Sequence, residues 1–245
     1  MSTVLLMVLP WKSSGSARDI SGWGIDILAP DALCAKKRKR ELMSALEQTF
    51  ITPEQYLEME RGAEFRSEYF SGRMFRMSGG SNAHSLLGGN VHALLWSQLR
   101  RKPCLTSNSD MKVLVNATGL YTYPDVSVVC GDVRYADEHR DMVENPAVLV
   151  EVLSPTTEAY DRGEKFVHYQ GLPSLTDYLI ISQETMRVEQ YVRQNDDQWL
   201  LSVHSGPEAS VRLVSTECGL LLAEVYERVE VSAKRNAPTL RIVGQ

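Results

Sequence analysis

Residues 147–153 read Ala-Val-Leu-Val-Glu-Val-Leu, an apolar run that contains one carboxylate. A run of this length and composition predicts a central, buried β-strand. Because side chains alternate between the two faces of a strand, Glu151 should share a face with Leu149 and Leu153. An unpaired carboxylate at that position would lose much of its hydration energy. Glu151 therefore needs a cationic partner, a bound proton or water at the strand end, and we favour a functional acid over a structural one.

A second acid opens another predicted strand, over residues 121–130. Pro124 cannot donate a ladder hydrogen bond and suits a bend or an edge position. Asp125 follows it directly and precedes the apolar run 126–130. Asp125 is thus either a functional acid or a residue that caps the turn at the start of the strand.

A predicted helix over residues 157–170 supplies a cation. Asp161, Lys165 and Tyr169 are spaced by four residues and should lie on one face of that helix. Lys165 could form an ordinary ion pair with Asp161, or it could point at the strand carboxylates and stabilise charge that develops on a phosphate. The residue spacing alone leaves both roles open.

The two strand acids together suggest a metal site. Asp125 and Glu151 offer hard carboxylate oxygens, which suit Mg²⁺ or Mn²⁺ better than zinc. In hydrolases such an ion activates water and offsets the charge of the phosphate and the leaving oxygen. The acids and the lysine therefore predict metal-dependent phosphodiester chemistry.

The rest of the chain predicts one α/β domain over residues 46–231, with a mixed central β-sheet flanked by helices. Thr52 and Pro53 begin a short helix that runs to about Glu60. A hairpin joins strands 64–70 and 73–77 through Ser71 and Gly72. Asn82 caps a long helix over residues 83–101. Further strands are predicted at 111–115, 177–182 and 187–193, an antiparallel pair at 199–204 and 211–214, and a short helix at 221–225.

The two ends of the chain have a different composition. Residues 1–45 contain a short apolar run that ends at Pro10, a Ser/Gly-rich stretch and the basic run Lys36–Arg40. The apolar run is too short to span a membrane. We expect a disordered leader here, with Met43 as an alternative start of the protein, and a flexible tail over residues 232–245.

Composition limits the classes of function. The 245 residues are 43% hydrophobic and 23% charged, as in an ordinary soluble globular protein, and carry a net charge of −5. Tight, non-specific DNA binding usually needs a basic excess, so any contact with nucleic acid must be local and helped by divalent cations. No C-x-x-C pair is present. The widely spaced cysteines predict reduced thiols in a cytoplasmic protein: Cys34, Cys104, Cys130 and Cys218.

Taken together, these motifs resemble the Uma-type restriction endonuclease family of the PD-(D/E)XK nuclease superfamily. The resemblance spans roughly residues 50–230 and rests on the order of the Pro-Asp and Glu-Val-Leu motifs and of the residues Glu68, His84, Asp125, Glu151, Asp161, Lys165 and Tyr169. It implies a restriction-endonuclease-like core, Asp125 and Glu151 as ligands of Mg²⁺ or Mn²⁺, and hydrolysis of DNA phosphodiester bonds. A double-strand break calls for two active sites, which a homodimer would supply.

One departure from the superfamily signature concerns the lysine. The signature places it two residues after the glutamate, where this chain has Leu153, so the resemblance implies that Lys165 replaces it from the following helix. Glu68 is either a further acid of the site or an exposed strand residue, and for His84 we favour a packing or capping role over a catalytic one. Two alternatives stay open: a catalytically degenerate accessory protein that keeps the nuclease fold, and a hydrolase of another phosphoester.

Overall fold

The strand that carries Glu151 is an inner strand of a six-stranded sheet. In the computed structural model, which describes residues 50–195 and 198–231, that strand is β8 (Val148–Val152). The other strands of the described residues are β1 (Ser67–Phe70), β2 (Arg73–Arg76), β3 (Cys104–Asn108), β4 (Lys112–Val115), β5 (Leu120–Thr122), β6 (Val126–Cys130), β7 (Met142–Val143), β9 (Asp177–Ile181), β10 (Arg187–Asn195), β11 (Gln198–Ser205), β12 (Ser210–Arg212) and β13 (Gly219–Leu221). The helices are α1 (Pro53–Arg61), α2 (Asn82–Leu99), α3 (Glu158–Arg162), α4 (Glu164–Gln170) and α5 (Leu222–Val225).

The strands form two mixed sheets and a small hairpin. The six-stranded sheet has the order β11-β10-β9-β8-β6-β3, and only β8 and β9 run parallel in it. The five-stranded sheet has the order β2-β1-β5-β4-β7, in which β4 and β7 are parallel. Strands β12 and β13 pair with each other. The α/β class with mixed sheets and flanking helices is confirmed, with a second mixed sheet in addition to the one predicted.

The six-stranded sheet separates two apolar cores. One core joins the even-numbered residues of β8 to the buried face of α2, which consists of Leu87, Val91, Leu95 and Leu99. The other core contains Leu149 and Leu153 together with Tyr169 of α4 and residues of the five-stranded sheet. The alternation predicted for residues 147–153 is therefore confirmed, and Glu151 lies on the side of α4.

Three local predictions were wrong. The strand expected over residues 121–130 is divided by Pro124 into β5 and β6, which belong to different sheets, because proline cannot continue a ladder. The helix expected over residues 157–170 breaks at Gly163, whose backbone angles of φ −109° and ψ −99° are not helical. Strand β11 pairs with β10 and β12 with β13, so residues 199–204 and 211–214 are not partners.

A disulfide bond overturns the prediction that all cysteines are reduced. Cys104 and Cys130 stand opposite each other in the antiparallel pair of β3 and β6, and a disulfide joins them. The sequence did not indicate β3, so the contact between two cysteines 26 residues apart was not foreseen. Cys218 is free and buried, as expected. The cytoplasmic location, which depended partly on reduced thiols, stays a prediction.

Several predictions concern residues outside the described ranges. The leader over residues 1–45, its basic run and the tail over residues 232–245 all fall on segments that the structure does not describe. The domain limits of 46 and 231 therefore stay a prediction. Among the described residues, no helix is both long enough and apolar enough to cross a membrane.

Candidate active site

A cleft of about 410 Å³ opens where the β1–β2 hairpin meets the ends of β6 and β8 and the helices α2, α3 and α4. Six of the seven residues predicted from the sequence line it: Glu68, His84, Asp125, Glu151, Asp161 and Lys165. The seventh, Tyr169, is fully buried and contacts the site through a hydrogen bond to Glu151. Residues from five separate parts of the chain thus meet in one place.

Lys165 lies at the centre of the charged groups. Its Nζ atom is 2.9 Å from Oε1 of Glu151, 3.1 Å from Oε1 of Glu68 and 3.7 Å from Oδ1 of Asp161. The side chain is buried, and burial alone would lower the pKa of Lys165. The surrounding carboxylates, with Glu151 foremost, outweigh that effect and raise the pKa well above its usual value. Lys165 is therefore a permanent cation.

The break at Gly163 lies two residues before the lysine. Helix α4 begins at Glu164, directly after the break, and a Cβ atom on residue 163 would lie only 3.0 Å from the carbonyl oxygen of Ala159. Across the break, Asp161 and Lys165 keep their ion pair. Lys165 thus pairs with Asp161 and also points at the strand carboxylate Glu151, while its action on a phosphate stays a prediction.

Glu151 is held by two donors. In addition to Lys165, the hydroxyl of Tyr169 donates a hydrogen bond of 2.6 Å to Oε1 of Glu151. Burial raises the pKa of Glu151 well above its ordinary value, whereas Lys165 and the Tyr169 hydroxyl oppose the rise. The cationic partner expected for a buried strand carboxylate is thus present.

Asp125 lies between β8 and α2. Its Oδ2 atom accepts a hydrogen bond of 2.7 Å from the backbone N–H of Val152, next to Glu151, and lies 3.4 Å from Nε2 of His84. The nearby Asp125 carboxylate raises the pKa of His84, against the effect of burial. His84 stands in the first turn of α2, whose N-cap is Ser81 and not Asn82 as predicted. His84 therefore packs against a site carboxylate instead of capping the helix.

Glu68 and Asp161 complete the ring of acids. Oε1 of Glu68 accepts hydrogen bonds from the hydroxyl of Thr122 and from the backbone N–H of Tyr123. Burial raises the pKa of Asp161, and Lys165 opposes this rise. Glu68 thus lines the cleft beside Lys165 and is not an exposed strand residue, while its part in any reaction stays a prediction.

The sequence reasoning missed two residues that support the site. Thr122 is completely buried beside Glu68, and Tyr160 lines the cleft with its ring 6.0 Å from Nζ of Lys165. Thr122 directly precedes the Tyr-Pro-Asp motif. A hydroxyl residue in an otherwise apolar strand, next to a suspected acid, is the signal that could have identified it.

The composition of the cleft suits a divalent cation. Five carboxylates line it against two permanent cations, Arg76 and Lys165. Within the described residues, no set of three or more His, Cys, Asp or Glu side chains is arranged as a ready metal site. Mg²⁺, however, usually takes only one or two protein carboxylates and completes its shell with water and substrate phosphates. Asp125 and Glu151 fit that smaller requirement.

Comparison with known proteins identifies the family. A family model named Uma2 and described as "Putative restriction endonuclease" matches residues 53–223. Two proteins of Synechocystis sp., described as uncharacterized proteins slr1290 and sll1609, are 39% and 33% identical to this chain. The alignments cover 71% of this chain and 88% of slr1290, and 66% of this chain and 91% of sll1609.

A solved structure shows the same fold. The crystal structure of a "putative nuclease belonging to DUF820" from Anabaena variabilis has a TM-score of 0.60 to this chain at 18% sequence identity. The match covers 74% of this chain and 99% of that one. The resemblance inferred from the motifs is confirmed: this chain has a nuclease fold and belongs to the Uma2 family, described as "Putative restriction endonuclease".

Proposed function

We propose that this protein is a Mg²⁺- or Mn²⁺-dependent endonuclease that hydrolyses DNA phosphodiester bonds. One observation carries the proposal. The Nζ atom of Lys165 reaches within 2.9 Å of Oε1 of Glu151 from the following helix, in a cleft that Asp125 also lines. The cleft thus contains two acids and a lysine, the residue types that a PD-(D/E)XK site requires, although the lysine comes from a different element.

Each residue has a distinct role in the proposed reaction. Asp125 and Glu151 would hold the divalent cation, which would supply positive charge to the phosphate and the leaving oxygen. Lys165, a permanent cation, faces the same phosphate and stabilises the charge that its oxygens gain in the transition state. Tyr169 and Glu68 keep Glu151 and Lys165 in place through the contacts described above. Burial of these groups strengthens their electrostatic effects.

A second function is favoured by the same contacts. Lys165 already has three carboxylate partners, and Oε1 of Glu151 already receives two donors. A site so fully paired is also what a catalytically degenerate, nucleic-acid-binding member of the fold would keep for stability. The two functions differ in whether the site turns over a phosphodiester.

Cleavage of nucleic acid by matched variants tests the proposal. Supercoiled plasmid and single-stranded circular DNA are incubated with Mg²⁺ or Mn²⁺ and wild type, Asp125→Asn, Glu151→Gln or Lys165→Met. We expect nicking by wild type and a loss of at least about 100-fold in each variant. Asp110→Asn is the control, because the side chain of this surface acid is 67% exposed and, among the described residues, forms an ion pair only with Arg66.

Three results would count against the proposal. Equal cleavage by wild type and all three variants would remove these residues from the site. Absence of cleavage by folded wild type, with binding retained, would support the degenerate binding protein. Hydrolysis of a small phosphodiester without any action on nucleic acid would indicate a different phosphoester substrate.

A further inference from the structure

The β1–β2 hairpin exposes aromatic and basic side chains beside the candidate active site. Strand β2 is an edge strand of the five-stranded sheet, and three of its four residues are exposed: Arg73, Phe75 and Arg76. The ring of Phe75 is 51% exposed and lines the active-site cleft. A phenylalanine that stays half-exposed beside the charged groups of the cleft is only partly removed from water in the described structure.

A second aromatic platform lies at the base of the same hairpin. Phe65 is 45% exposed, and the guanidinium carbon of Arg76 lies 4.1 Å from the centroid of its ring. Neither Arg73 nor Arg76 forms an ion pair with any described residue. The hairpin and its base thus present two exposed aromatic rings, those of Phe65 and Phe75. They also present Arg73 and Arg76, which have no carboxylate partner in residues 50–195 and 198–231.

The hairpin is directly connected to the charged centre. Phe75 stands opposite Glu68 in the register of β1 and β2, so their side chains share a face of the sheet. Glu68 in turn contacts Lys165 at 3.1 Å. A single residue, Glu68, therefore connects Phe75 to Lys165, the lysine proposed to face the scissile phosphate.

A continuous path leads from this centre past Phe65. A larger cleft of about 830 Å³ is lined by Phe65 and shares six residues with the active-site cleft: Met77, Ser78, Gly79, Gly80, His84 and Asp125. The shared residues join the two clefts into one groove. The groove is lined by acids such as Glu68 and Asp125 and by the aromatic and basic side chains of Phe65, Phe75 and Arg76.

We propose that this groove binds a single-stranded or locally opened nucleic acid, with Phe75 and Phe65 stacking on unpaired bases and Arg73 and Arg76 contacting phosphates. Aromatic faces stack on the bases of single strands irrespective of sequence, and neighbouring cations follow the backbone. A closed duplex hides its base faces within the stack and offers little to these rings. This inference rests on the proposed nuclease function only for the position of the scissile bond.

The test measures binding apart from cleavage. Fluorescence anisotropy compares a labelled single-stranded oligonucleotide with the duplex of the same sequence, with Ca²⁺ in place of Mg²⁺. We expect wild type to prefer the single strand and Phe75→Ala to bind it about tenfold more weakly, with Phe75→Trp close to wild type. The control is Leu200→Ala, which removes another exposed apolar side chain. Leu200 lies on β11, is 54% exposed and lines neither cleft.

The outcomes separate this inference from the nuclease function. Unchanged binding by Phe75→Ala, an equal loss in Leu200→Ala, or tighter binding of the duplex than of the single strand would each overturn the inference. None of these results bears on whether Asp125 and Glu151 support cleavage. Conversely, an aromatic-dependent preference for single strands would uphold the inference even if wild type cleaved nothing.

Discussion

The Nζ atom of Lys165 on α4 lies 2.9 Å from Oε1 of Glu151 on β8. The two residues belong to different elements and are both buried, so the ion pair connects the helix to the middle of the six-stranded sheet. The PD-(D/E)XK signature would place the lysine on the strand itself, at residue 153. Here Leu153 fills that position within the apolar core, and the cation reaches the same acid from the helix.

Removal of the cation should destabilise the fold. Lys165→Met keeps the length of the side chain but leaves Glu151 buried without its ionic partner, so we expect a loss of about 3–5 kcal/mol in the free energy of unfolding. Urea unfolding measures this loss of stability. Combining Lys165→Met with Glu151→Gln should cost less than the sum of the single changes, because the unpaired charge is then absent. Additive losses in the double variant would show that the two groups do not interact.

The hydroxyl of Tyr169 should contribute more to stability than the hydroxyl of the neighbouring Tyr178. Tyr169→Phe removes a hydrogen bond to the Glu151 carboxylate, whereas Tyr178→Phe removes one to the backbone carbonyl of Asp161. Hydrogen bonds to charged groups contribute about 1.5–3 kcal/mol, against about 1 kcal/mol for neutral ones. Both rings are fully buried, so the pair is well matched for urea unfolding. Equal losses would mean that Glu151 is protonated and neutral in the folded protein.

The sequence was sufficient to predict which residues come together in the candidate site, but not the contacts between them. Burial and alternation identified Glu151, and the four-residue spacing of Asp161, Lys165 and Tyr169 identified the helix face. Those arguments depend only on local geometry. The contact of Lys165 with Glu68 depends on how two sheets meet, which no local pattern encodes.

The errors in the predicted fold have similar causes. Pro124 was interpreted as a bend or an edge position of one strand, but the chain leaves one sheet there and enters another. Strand β3 contains Thr106, Ser107 and Asn108, polar residues that weaken the apolar pattern of an edge strand. Without β3, the partner of Cys130 could not be found. Pairing between distant strands is fixed by tertiary contacts, which explains both errors.

Divalent cations should bind at the two acids. In calorimetric titrations with Mn²⁺, we expect binding by wild type and its loss in Asp125→Asn and Glu151→Gln, since Mn²⁺ and Mg²⁺ require carboxylate oxygens. Asp125→Asn can still accept the hydrogen bond from Val152, so its loss of binding would reflect charge and not misfolding. Glu164→Gln, at the rim of the cleft, should bind Mn²⁺ nearly as well as wild type. Unchanged binding in both site variants would place the ion elsewhere.

The disulfide should add to stability although it lies outside the site. The Cys104–Cys130 bond closes a loop with a sequence separation of 26. A loop of that size is expected to contribute roughly 3 kcal/mol, chiefly by restricting the unfolded chain. Replacing both cysteines by serine should lower the urea midpoint, and a reducing agent should lower that of wild type but not of the double variant. If the reducing agent had no effect on wild type, the two thiols would not be joined in solution.

The pair of His84 and Asp125 should make stability depend on pH. The contact with the Asp125 carboxylate raises the pKa of His84 in the folded protein above its usual 6.5. The resulting stability is fully present below the unfolded pKa and is lost as the pH rises through the higher folded pKa. His84→Gln can still donate to Asp125 but does not titrate. The stability of wild type relative to His84→Gln should thus be greatest near about pH 6 and fall by up to about 1 kcal/mol towards about pH 9. Urea unfolding at both pH values measures this difference, and the Asp125→Asn background should largely remove it. A difference that grows with pH would mean that His84 is held neutral, against the direction given by its carboxylate partner.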